Sequence, residues 1–115
     1  MAAEAIADGR RARRERVLLA GKIVCAESYS FDCMIRERSE TGAKLRARTS
    51  NPFPSEFHLL DVRAGQAHAC ELIWTDGPNA GVRFTQTWDV TRPCPPPLGH
   101  LHRLWVECAP RASDF

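Results

Sequence analysis

Five arginines stand within seven residues, at Arg10, Arg11, Arg13, Arg14 and Arg16, with only Ala12 and Glu15 between them. A guanidinium group is planar, permanently charged and forked. It can grip a phosphate or the Hoogsteen edge of guanine with two hydrogen bonds, and its flat face can stack on a base. A second group lies downstream in Glu37-Arg38-Ser39-Glu40-Thr41-Gly42-Ala43. There a carboxylate could accept hydrogen bonds, a serine could donate from a short side chain, and a glycine could let the backbone approach a ligand without a Cβ. A basic arm and a polar turn of this kind suit a nucleotide with several phosphates and base edges. Ordering about seven arm residues costs roughly 7 to 14 kcal/mol of backbone entropy, which only several contacts of about 1 to 3 kcal/mol each could offset.

Other chemistry finds less support. The four histidines, His58, His68, His100 and His102, show no metal-ligand spacing, and His100 and His102 point to different sides of a helix. No Ser-His-Asp or Cys-His arrangement, acid/base carboxylate pair or glycine-rich phosphate loop is recognisable, so the sequence reads as a non-enzyme without metal or cofactor. The cysteines are five, an odd number, at positions 25, 33, 70, 94 and 108, with no Cys-x-x-Cys pair. That pattern disfavours a disulfide framework and suits a reducing, cytoplasmic location, with Cys25, Cys33 and Cys70 as small buried hydrophobes. The N-terminus lacks a basic region followed by a long apolar run, and no stretch approaches eighteen apolar residues, so neither secretion nor membrane insertion is expected. The net charge of +2 is too small for bulk nucleic-acid or membrane binding, which makes the local charge of the arm the relevant quantity. Of the 16 basic residues only Lys22 and Lys44 are lysines.

The elements that must hold these residues read as strands. Apolar and alternating runs appear at residues 17–26, 30–36, 42–48, 56–63, 66–75 and 79–86, with turns at 27–29, Ala64-Gly65 and Asp76-Gly77-Pro78. Phe31, Cys33 and Ile35 share one face, and Lys44, Arg46 and Arg48 form a basic outer face opposite Ala43, Leu45 and Ala47. Trp74 and Phe84 are expected in the core. Six short strands with tight turns predict an all-β fold, a small six-stranded antiparallel β-barrel that leaves no exposed edge. Residues 1–9 read as a flexible lead-in, and residues 10–90 as the barrel with its basic arm at 10–16. Residues 91–115 read as a proline-rich linker and a short C-terminal helix. In that helix Leu98, Leu101, Trp105 and Cys108 fall at near-helical spacing, with Pro110 near the end. Trp105 is expected to pack this helix on the barrel.

The order of Arg10-x-x-x-Arg14, Gly21-Lys22-Ile23-Val24, Phe31-Asp32-Cys33-Met34-Ile35, Ser39-x-x-Gly42-Ala43, Trp74 and Gly81-Val82-x-Phe84 resembles a PilZ domain over roughly residues 10 to 86. That family comprises small six-stranded barrels, many of which bind the bacterial second messenger cyclic di-GMP. Its ligand motifs are Arg-x-x-x-Arg before the first strand and Asp/Asn-x-Ser-x-x-Gly between the second and third. The resemblance implies a ligand set of Arg10, Arg14, Ser39 and Gly42, with Arg11 and Arg13 as auxiliary phosphate contacts. Glu37 stands where the family has Asp or Asn. It keeps the acceptor but adds a methylene, a departure expected to weaken binding by about 1 to 3 kcal/mol without abolishing it.

The expected function is therefore that of a bacterial cyclic di-GMP receptor. Its arginine arm would order on ligand binding and so present a new surface to a partner protein in trans. One alternative is a PilZ-like interaction module that binds no nucleotide and docks a protein through Trp105 and the helix. Another is binding of RNA or DNA through the arm and the Lys44, Arg46, Arg48 face. The scarcity of aromatics between those cations disfavours the nucleic-acid reading.

Overall fold

A computed structural model of the chain describes residues 15–26, 29–48 and 53–113. The expected lead-in at 1–9 and the arm residues Arg10, Arg11, Arg13 and Arg14 lie outside these. Six strands follow one another: β1 (Glu15–Ala26), β2 (Tyr29–Arg38), β3 (Gly42–Arg46), β4 (Glu56–Asp61), β5 (Gln66–Asp76) and β6 (Asn79–Asp89). Every pairing is antiparallel, in the order β1-β2-β3-β6-β5-β4, and β4 returns to β1 to close the barrel. A single helix among the described residues, α1 (Gly99–Ser113), ends the chain. The fold is thus the small all-β barrel with a C-terminal helix that strand periodicity predicted.

Alternation fills the barrel where a strand has one buried face. On β2, Cys33 and Ile35 are buried while Asp32 and Met34 are exposed; Leu45 and Ala47 are buried while Arg46 and Arg48 are exposed. Ile23, Ile35, Leu45, Leu59, Phe57, Cys70 and Val82 form this interior. Each fully buried Leu or Ile contributes about 1.5 to 3 kcal/mol.

β1 and β4 break the alternation. Ile23 and Val24 are both buried, as are Leu59 and Leu60. Consecutive burial requires cover on both faces of a strand, and α1 supplies the second cover. Val24, Leu60, Val62, Ala67 and Val90 form an outer apolar patch on which Leu98, Leu101, Leu104, Trp105 and Cys108 pack. Two hydrogen bonds fix the helix there. Trp105 Nε1 donates to the Val62 carbonyl at 2.9 Å, and His102 Nδ1 bonds the Val90 carbonyl at 2.8 Å.

Several boundaries differ from the sequence reading. β2 runs on to Arg38, β3 stops at Arg46, and β4 ends at Asp61, where the chain turns. Asp61 stops the strand by capping that turn. Its Oδ1 accepts the Ala64 N–H at 3.1 Å and its carbonyl accepts the Gly65 N–H at 3.0 Å. Gly65 has φ +66°, and an added Cβ would lie 2.4 Å from the Thr91 side chain, so both conformation and space call for glycine.

Trp74 is not in the core. Irregular pairing in β5 between Leu72 and Trp74 shifts which side chains face inward, and Trp74 is left 42% exposed on the outer surface. Phe84 packs, partly buried, against the interior cluster.

Candidate functional site

Register sets Glu37, one of the expected site residues, in a row across the barrel. Arg16 pairs with Glu37 across β1 and β2, Glu37 with Lys44 across β2 and β3, Lys44 with Gly81, and Gly81 with Trp74. One transverse row on the barrel therefore holds two cations, the carboxylate between them and an indole. Glu15, one residue beyond Arg14 in the sequence, pairs with Arg38. The arm is thus attached to the barrel directly beside the polar turn. Arg36, Arg46 and Arg48 are exposed nearby, so strands β2 and β3 offer an anion a basic surface.

The turn itself is held from within. Ser39 Oγ accepts the Thr41 and Gly42 N–H groups at 3.2 Å each. Its own hydrogen has two acceptors at 3.3 Å, the Gly42 carbonyl and Thr41 Oγ1. The Ser39 N–H donates to the Gly42 carbonyl at 2.9 Å, and Phe84 N–H ties the turn to β6 through the Thr41 carbonyl at 2.8 Å. Ser39 organises the turn, and a ligand would have to draw its hydroxyl away from long intramolecular bonds.

Gly42 also has a local reason. A Cβ there would lie 2.3 Å from the Val82 carbonyl oxygen, so the missing side chain makes room for strand β6. The space expected to admit a ligand is taken by the neighbouring strand. Arg10, Arg11 and Arg14 lie outside the described residues, while Glu37, Ser39 and Gly42 are brought together at one corner.

Two residues that sequence reasoning did not assign to the site belong to this corner. Trp74 packs against Gly81, where an added Cβ would lie 2.1 Å from its Nε1. A strand glycine opposite an aromatic in the sequence was the available signal. Arg38 is the other. Between two outward-facing motif positions it turns inward and forms an ion pair with Asp61, a carboxylate with no exposed surface. A strand residue flanked by outward neighbours must point in, and a buried carboxylate needs a cation.

Close to this pair, His68 stacks on Phe84 with ring centroids 3.9 Å apart and planes within 6°. Its Nδ1 bonds Thr87 Oγ1 at 2.8 Å, and its buried Nε2 has no partner. Burial holds its pKa below the usual value; the Asp61 carboxylate pulls the other way and the Arg38 charge adds to the lowering. Burial pushes the Cys33 and Cys70 thiols up to about 12, which makes them poor nucleophiles at neutral pH. Among the described residues no three His, Cys, Asp or Glu side chains are grouped to hold a metal ion, and no helix is long and apolar enough to cross a membrane.

Compared with known proteins, the chain matches no family model and no curated protein sequence.

Proposed function

We propose that this chain is a PilZ-type receptor for cyclic di-GMP in a bacterial cytoplasm, a binding protein rather than an enzyme. The observation that carries the reading is the attachment of the arginine arm. Its last residues, Glu15 and Arg16, pair across from Arg38 and Glu37 at the mouth of the Ser39–Gly42 turn. On this reading Arg10 and Arg14 close over the ligand as it meets the turn, with Arg11 and Arg13 on phosphate. Glu37, between Arg16 and Lys44 in register, faces a guanine edge, and the surface assembled by the arm engages a partner protein in trans.

Calorimetric titration with cyclic di-GMP tests it on the native chain and on an Arg10→Ala plus Arg14→Ala variant. Loss of two forked contacts, each about 1 to 3 kcal/mol, should weaken binding by at least about tenfold. Equal heats for both proteins, or none for the native chain, would refute the reading.

The internal uses of Ser39 and Gly42 favour one rival. Both residues have reasons to be present without any ligand, as in an interaction module of the same fold that binds no nucleotide. That module would dock its partner with α1 and Trp105 in an unchanged chain, and absent heats would support it.

A further inference from the structure

Arg38 sits between the two motif positions that face outward, yet its guanidinium reaches Asp61 on β4. Asp61 in turn governs the tight turn that follows it. Its carboxylate accepts Ala64 N–H, its carbonyl accepts Gly65 N–H, and the Gly65 carbonyl accepts Val90 N–H at 3.0 Å. Two hydrogen bonds from α1 end on this unit: Trp105 on the Val62 carbonyl and His102 on the Val90 carbonyl. From Ser39 to Trp105 there is an unbroken run of covalent, ionic and hydrogen-bonded links, and it skirts the apolar interior.

We propose that the Arg38–Asp61 pair mechanically couples the Ser39–Gly42 turn to helix α1, so that a change at the turn is felt at Trp105. The inference rests on the proposed ligand site for what drives the change, and the link itself lies in residues that the site does not use. Arg38 acts as a positioning residue. Asp61 has no exposed surface and adjusts poorly, because moving the half-buried Arg38 away leaves its carboxylate without compensation. A displacement of Arg38 therefore shifts Asp61 or breaks the pair, and Asp61 cannot shift without moving the two amides it caps. The coupling is reciprocal: whatever lets the turn move α1 lets α1 move the turn.

The test follows the indole Nε1–H resonance of Trp105, assigned by its loss in Trp105→Phe, together with the amides of residues 39–42. Cyclic di-GMP should shift both sets in the native chain. In the Arg38→Leu plus Asp61→Asn variant, which removes both charges together, it should still shift residues 39–42 while leaving the Trp105 signal within about a fifth of its free position. A full Trp105 shift in that variant overturns the coupling, as does a native Trp105 signal that stays still while ligand moves the turn.

A second arm needs no ligand. Trp105→Phe should move the amides of residues 39–42 in the native background and not in the charge-free one. Still amides in the native background overturn the coupling. Shifted amides beside absent ligand binding would sustain it and sink the receptor reading instead. Should the charge-free variant fail to fold, Arg38→Lys, which keeps the charge and loses the fork, serves in its place. Its Trp105 response should fall to less than half of the native one, and an undiminished response counts against the coupling.

Discussion

A hydrogen atom replaced by a methyl group separates the roles of two glycines. At Gly42 the new Cβ would meet a backbone carbonyl of Val82 at 2.3 Å, and a strand must move to make room. At Gly81 it would meet the Trp74 side chain, which is 42% exposed and can swing away. Gly42→Ala should therefore cost about 2 to 3 kcal/mol in urea unfolding and Gly81→Ala about 1 kcal/mol or less. The reverse order would contradict the packing described for the turn.

His68 makes stability depend on pH at the same scale. Burial, and secondarily the Arg38 charge, make it harder to protonate in the folded chain than its ordinary value of 6.5, with Asp61 opposing. The unfolded state thus takes up the extra proton as pH falls below that value. Stability is full above it and declines below it, by up to about 1.4 kcal/mol per pH unit, until the lowered folded pKa is reached. His58, lowered first by burial and then by the His100 charge, adds a loss of the same sign. His68→Phe keeps an aromatic ring against Phe84 and removes the titration. Unfolding midpoints from about pH 7.5 to about pH 5 should fall less steeply in that variant, and an identical fall would show that His68 contributes nothing.

Strands and turns carry the next level of the argument. Asp61 closes β4, and Arg38 is its ionic partner, so Arg38→Leu alone leaves a buried carboxylate uncompensated and should cost about 3 to 5 kcal/mol. Adding Asp61→Asn removes that charge while keeping an acceptor for Ala64 N–H, and most of the loss should return. Chemical denaturation of the single and double variants measures both; an additive loss in the double variant would show that the two residues do not interact.

The same elements show what was legible beforehand. Alternation on β2 and β3 gave the inward faces of Cys33, Ile35 and Leu45 and the outward Lys44, Arg46 and Arg48 face because each strand there has one covered side. It was silent at Ile23-Val24 and Leu59-Leu60, where the second cover comes from a helix some forty residues or more away in sequence. Trp74 was misplaced because the irregular pairing beside it reverses the face, which alternation along β5 alone does not announce. The polar corner was visible as a motif. Arg38 was passed over because the family pattern treats its position as free, although its parity with Ser39 implied an inward guanidinium and a buried acid to meet it.

At the scale of the whole molecule, α1 acts as the outer wall of β1 and β4. Ending the chain at Pro97 would uncover Val24, Leu60, Val62, Ala67 and Val90 together and remove the wholly buried Leu101. Such a chain should lose at least about 3 kcal/mol in urea unfolding and bind a hydrophobic dye that the intact chain ignores. An unchanged midpoint would mean that the helix rests on the barrel without supporting it.

Because β4 zips back onto β1 over Gly21–Val24, the main chain along that seam offers newcomers no loose selvedge to lengthen. Strand donation, a common way for one polypeptide to capture another, is barred along that seam. Any associate that approaches there must grasp protruding groups.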